Sequence, residues 1–118
     1  MVGIECDFIG DWLSSVEMSS AYAQTKKIGA SKKKISRHYQ FESTLSLTGS
    51  SADYREAIKP AVAGLYVTTL YNMVASKLGA SKLSTPTVSN SKHLQKCADD
   101  LIKNKGKAIV MCGINDIN

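Results

Sequence analysis

Between Pro60 and Lys77 this chain carries no charged residue, and Ala, Val, Leu, Tyr and Met recur on every side of the helix that the segment spells. A helix that is apolar all round must be covered on most of its circumference, so it belongs in the middle of a layered fold. Pro60 suits a first helical turn and Gly79 suits the left-handed residue beyond the last, which sets both ends. The cover has to come from the rest of a 118-residue chain, long enough for one domain with a real core; its 43% hydrophobic and 21% charged content is ordinary for a globular protein.

The flanking segments read as alternating strands and helices. Val2, Ile4, Cys6 and Phe8 alternate with Gly3, Glu5 and Asp7, the period of a first strand with one wetter face. Gly10 and Asp11 close it, and Ser14 or Ser15 caps a helix towards Lys27 whose more apolar positions are Val16, Met18, Tyr22 and Ala23. Residues 35–42 predict a second strand, with Tyr39 and Phe41 on one side and His38 and Gln40 on the other. FESTLSLTGSSADYREAIKP, residues 41–60, then gives a strand end, a Ser/Thr/Gly loop, a short strand and the proline that opens the uncharged helix.

Beyond Gly79, Ser89, Asn90 or Ser91 caps an amphipathic helix in which Leu94, Cys97, Ala98, Leu101 and Ile102 form one stripe, ending near Gly106. AIVMC, residues 108–112, has the continuous apolar character of a parallel strand buried on both faces. The near-repeat of KIGASK at 27–32 and KLGASK at 77–82 marks two helix ends and not a duplication, since the flanks share nothing at the same offset. The order β-α-β-short β-α-α-β predicts an α/β fold: a Rossmann-like, mainly parallel sheet with helices on both faces. A doubly wound domain continues past such a last strand into another covering helix, so we expect a fragment of a larger protein, with apolar surface exposed where cover is missing.

The net charge of +5 is unevenly placed. Residues 1–25 hold no Lys or Arg and four acids, Glu5, Asp7, Asp11 and Glu17, whereas Lys26, Lys27, Lys32, Lys33, Lys34 and Arg37 crowd into a dozen residues. Such a basic loop meets phosphates, meets an acidic partner, or is merely solvated. Only Tyr39 and Phe41 offer stacking surfaces nearby and no nucleic-acid motif accompanies them, so no nucleic-acid partner is expected. The first residues lack the basic and apolar regions of an export signal, and the uncharged helix is too short and too rich in Thr, Gly and Asn to cross a bilayer, so no direct membrane insertion is expected.

Catalytic and metal chemistry finds few footholds. Cys6, Cys97 and Cys112 lie far apart, read as buried small hydrophobes, and leave neither zinc nor iron–sulfur ligands at adjacent spacing. His38 and His93 have no metal-ligand partner in sequence, and GSSAD lacks a spaced histidine. Thr48, Gly49, Ser50 and Ser51 have the composition of an anion-binding nest or of a plain polar loop, and Trp12 and Tyr22 are either a pocket cover or core. DFIGDWLSS supplies only Gly10 where a dinucleotide site places several glycines after its first strand, so the phosphate cradle is missing.

IECDFIGDW at 4–12, SRHYQFESTLSLTGSSADYREAIKP at 36–60 with the helix that follows, and KAIVMCGIND at 107–116 together resemble one family. It is the iron–sulfur, molybdopterin-oxidoreductase-like subunit of alternative complex III, the bacterial quinol to cytochrome c oxidoreductase. The similarity spans nearly all of the chain, and its most specific segment is HYQFESTLSLTGSSADYR, residues 38–55. More distantly, SSADYREAIKP resembles the Ala-Asp, strand, Arg-Pro-Gly passage of molybdenum bis-pterin oxidoreductases. The resemblance implies sibling domains and subunits of a membrane respiratory complex as partners, and a peripheral place on the periplasmic side of the bacterial inner membrane. It implies iron–sulfur clusters elsewhere in the parent, and a molybdoenzyme-like half that has lost metal and pterin, so no cofactor is expected in this fragment.

The resemblance also places Glu42 where pterin enzymes carry the Asp of an Asp-Pro-Arg turn, with Ser43 and Thr44 in place of Pro and Arg and Ala61 in place of the final Gly of Arg-Pro-Gly. Glu42, Ser43 and Thr44 are therefore the candidate vestige of a cofactor-binding turn, against the plainer reading of a strand-end carboxylate that caps a loop. Three functions are carried forward: a non-catalytic structural domain of an electron-transfer subunit, a pterin or nucleotide binder, and a basic-patch nucleic-acid binder.

Overall fold

The computed structural model describes residues 1–113. Its elements run β1 (Val2–Ile4), α1 (Ser15–Lys26), β2 (Tyr39–Glu42), the single helical turn α2 (Leu47–Ser50), β3 (Tyr54–Ala57), a 3-10 turn Pro60–Val62, α3 (Ala63–Leu78), α4 (Leu94–Lys103) and β4 (Val110–Cys112). The four strands form one all-parallel sheet in the order β3-β2-β1-β4, with Val2 level with both Tyr39 and Val110. This is the α/β arrangement that the element order predicts, compatible with a Rossmann-like fold. The chain steps from β1 to β3 in one direction and returns past β1 to lay down β4, so the strand order reverses between β1 and β4.

The alternation along β2 decides what each face of the sheet holds. Tyr39 and Phe41 pack with Val2 and Ile4 against Tyr66 and Leu70 of α3 and Leu94, Cys97 and Ala98 of α4. His38 and Gln40 turn to the opposite face, where His38 meets Tyr22 of α1 and the ring of Phe8. The stripe expected on α4 is therefore the buried one, and truncating a side chain such as Leu94 costs about 2–5 kcal/mol at sites of this kind. Glu56 of β3 fixes where α4 begins: its Oε2 accepts from Ser91 Oγ at 2.8 Å and His93 N at 3.2 Å, and Ser91 Oγ in turn caps Leu94 N at 3.1 Å.

The helix α3, uncharged as far as Lys77, is covered on most of its circumference although Tyr71 and Leu78 stay about half exposed, and part of the cover is a loop. Asn72 grips the backbone of Leu83, accepting from its N at 2.7 Å and donating to its O at 3.0 Å, and Thr69 Oγ1 accepts from Val88 N at 3.0 Å. Gly79 takes the left-handed conformation expected past the end of α3, at φ 71°. Gly29 does not serve α1 in this way, since that helix has already ended at Lys26; the two near-identical hexapeptides thus end their helices differently.

Several expectations are corrected. The first strand ends at Ile4 and not at Phe8, because Glu5 adopts φ 49°, a left-handed conformation that costs a non-glycine residue roughly 1–2 kcal/mol. That residue breaks the alternation, so Cys6 and Phe8 pack with Tyr22 on the α1 face and not with Val2 and Ile4. The second strand starts at Tyr39, and Ile35 is exposed. Val16, placed on the apolar side of α1, is exposed as well. The AIVMC run is not buried on both faces: β4 lies at the sheet edge, where Ile109 and Val110 remain half exposed and Cys112 is exposed beside two buried cysteines. The last residues of KAIVMCGIND, 114–116, fall outside the described residues.

Candidate functional site

An open parallel sheet binds its ligands outside the carboxyl ends of its strands, where the strand order reverses. That rim carries Glu5, Cys6 and Asp7 beyond β1, and Ser43 and Thr44 beyond β2. Its floor between β1 and β4 is closed by backbone: Gly113 N donates to Ile4 O at 3.0 Å, and a Cβ on Gly113 would overlap Glu5 O.

Glu42, at the end of β2, is buried and fully engaged by the chain itself. Its Oε1 accepts from Arg55 Nε at 2.5 Å and Ser46 N at 3.2 Å, while Oε2 accepts from Ser46 Oγ at 2.6 Å and Gln40 Nε2 at 3.2 Å. The carboxylate lies directly on the Cα of Gly49, where any Cβ would overlap it. Burial by itself raises the pKa of Glu42, but the bonds from Ser46, Arg55 and Gln40 outweigh it and hold the carboxyl below its ordinary value.

Its neighbours follow the same pattern. Glu5 accepts from Ser43 N at 2.9 Å and Ser43 Oγ at 3.1 Å. Asp7 Oδ1 accepts from Thr48 Oγ1 at 2.7 Å, Thr48 N at 3.0 Å and Gly10 N at 3.1 Å. Burial raises the Asp7 pKa, and the Thr48 and Gly10 bonds more than offset this, leaving it lowered. Thr44 stays exposed on the rim.

The backbone amides of Gly10, Ser43, Ser46 and Thr48 are the class of donor that holds phosphate in a nucleotide-binding fold. Here each donates to a carboxylate of the same chain. Of the expected nest Thr48 to Ser51, only the Thr48 amide meets an anion, Asp7; Gly49 N donates to Ser46 Oγ, and the Ser50 and Ser51 amides donate to Ser46 O and Thr48 O. Three carboxylates at this rim also repel a further anion.

Other candidate chemistry is accounted for inside the fold. His38 is wholly buried, with Nδ1 3.1 Å from the Tyr22 hydroxyl and Nε2 3.3 Å from Gln40 Oε1. The Tyr22 hydroxyl donates its one proton to Ser51 O at 2.7 Å, and the single proton of the neutral imidazole serves either the Tyr22 oxygen or Gln40 Oε1. Burial pushes the Cys6 thiol up to about 11, which keeps it protonated and unreactive. Among the described residues no group of His, Cys, Asp and Glu is placed to hold a metal ion. His93 leans on the ring of Tyr54, with ring centroids 5.3 Å apart.

Of the basic segment, Lys26 pairs with Asp53 at 2.5 Å, Lys32 Nζ donates to Gln24 O and Thr25 O, and Arg37 pairs with Asp100 at 2.5 Å. Asp53, from the Ala-Asp of the pterin-enzyme resemblance, also accepts from His38 N at 2.6 Å and so ties β2 to α1.

Sequence reasoning singled out Glu42, Ser43 and Thr44, and the fold gathers the first two with Gly49, which that reasoning placed in a possible anion nest, and with Glu5, Asp7 and Arg55, which it did not select. Asp7 three residues before Gly10 was an available signal, being the spacing of a side chain that closes its own turn. The Arg55 and Gly49 contacts bridge segments whose approach no local pattern encodes. No family model matches this chain, and a search of curated proteins returns no match.

Proposed function

We propose that this chain is a non-catalytic structural domain of a molybdopterin-oxidoreductase-like iron–sulfur subunit in a respiratory, quinol-oxidising electron-transfer complex. The resemblance of residues 38–55 supports the family, and one observation supports the loss of chemistry. The amides at the carboxyl end of the sheet, where a pterin dinucleotide's phosphates belong, are already bonded to Glu5, Asp7 and Glu42. Freeing the Ser46 amide for a ligand would displace the buried Glu42 carboxylate, which is also paired with the partly exposed Arg55, and unpairing a buried charge is strongly unfavourable.

In this reading the parallel sheet survives as a scaffold, and the exposed apolar side chains Val110 on β4 and Ile109 just before it, with Leu13 and Val16 on the acidic side, pack against sibling domains or subunits. The place of action is the periplasmic side of a bacterial inner membrane, peripherally held. Among the described residues no helix is long and apolar enough to cross a membrane.

The test is elemental and mass-spectrometric analysis of the folded, natively purified protein, joined to thermal-shift measurements with molybdopterin and guanine nucleotides. The reading expects no stoichiometric metal, pterin or nucleotide and no shift in Tm. A co-purifying pterin or a saturable rise in Tm would instead establish the binder reading, with Thr44 and its neighbours as the site.

A further inference from the structure

At the opposite, amino-terminal end of the sheet lies a cavity of about 730 Å³, between the basic loop and the end of α4. Lys32, Lys34 and Arg37 line it from one side and Lys103 and Lys107 from the other, against the single carboxylate of Asp100 among its described lining residues. That carboxylate is already engaged, by Arg37 Nη1 and the Tyr39 hydroxyl, both at 2.5 Å. Two of the cations are held in place: Arg37 by Asp100, and Lys32 by the last carbonyls of α1 at 2.8 and 2.9 Å. The remaining lysines are exposed, and Ile35, 47% exposed, adds an apolar wall.

We infer that this cavity docks an acidic segment of a partner protein that also carries aliphatic side chains. Charge complementarity sets the sign of the partner, because several cations with no free acid among them repel anything basic and attract carboxylates. Nucleic acid fits less well. The one aromatic ring lining the cavity is Tyr39, which is 2% exposed and stacked on Tyr54 with centroids 4.9 Å apart, so it offers no face to a base. The inference rests on the scaffold reading by naming the chemistry of a sibling partner. A pterin found at the carboxyl end would overturn that reading and leave this cavity's charge and shape as they are.

The probe is a short dye-labelled peptide alternating glutamate with leucine, titrated into the full chain at low salt and followed by fluorescence anisotropy. Binding should be saturable, should weaken as salt rises, and should fall by about tenfold or more in the triple variant Lys34→Glu, Lys103→Glu, Lys107→Glu. The control Lys59→Glu, Lys82→Glu, Lys92→Glu carries the same change in net charge outside the cavity and should keep most of the affinity. Circular dichroism verifies that both variants fold. The inference is overturned by no binding at low salt, by equal losses in the two variants, or by tighter binding of a single-stranded oligonucleotide of matched charge.

Discussion

Each oxygen of Glu42 accepts two hydrogen bonds, and the carboxylate rests on a residue that has no side chain. Gly49→Ala should therefore act as a lesion of Glu42, forcing the carboxylate off Ser46 and Arg55. We expect a loss of about 2 kcal/mol, the scale of charge-assisted hydrogen bonds left unmade in a buried place, measured as a lowered urea midpoint. A midpoint equal to that of the parent would show that the carboxylate is not held where the structure has it. His38 gives a second residue-scale prediction. Burial pushes its pKa down from 6.5 to about 4, so the unfolded chain binds a proton between those values that the folded chain refuses. Stability is complete above pH 6.5 and is lost as pH falls towards 4, by about 3 kcal/mol. Urea midpoints measured across that window should fall steeply for the parent protein and stay nearly flat for His38→Gln. Glu42 and Asp7 act lower, because their depressed pKa values give stability that is present above the ordinary carboxylate range and lost as pH falls below it.

At the scale of elements, α3 illustrates how a helix with no charge before Lys77 is largely kept from water. Its sheet-facing residues enter the main core, and the clamps from Thr69 and Asn72 lay the segment after Gly79 across another side. Asn72→Ala removes both bonds to Leu83. Hydrogen exchange should then show faster exchange at the Leu83 and Val88 amides, while Leu94 to Lys103 keeps its protection; unchanged exchange at Leu83 would contradict the clamp. The sequence made α3 legible through its lack of charge, and α4 and β2 through their periodicity, because in each the pattern and the packing are local to one element. It hid the end of β1, since Glu5 is not the glycine that usually marks a left-handed turn. It also hid the exposure of β4, since an apolar run does not say whether a neighbouring strand lies beside it. The site was half legible for the same reason: Glu42 and Ser43 sit at a recognisable strand end, whereas the contacts of Glu42 with Arg55 and Gly49, and of Asp7 with Thr48, are made only through the fold.

For the whole molecule, the two ends of the sheet have opposite characters. The carboxyl end is acidic, and its amides are bonded to the chain's own side chains; the amino end is basic, open and lined by lysines from distant segments. Rossmann-like sheets act at the first of these ends, and this chain has filled it from within. Backbone amide NMR tests that claim most directly, by titrating molybdopterin guanine dinucleotide or GTP into the labelled protein and following Gly10, Ser43, Ser46 and Thr48. The account predicts that these resonances stay where they are at ligand concentrations well above those of the protein. Saturable shifts clustered on these residues would show that the carboxylates yield their places to a ligand, and that the carboxyl end remains a working binding site.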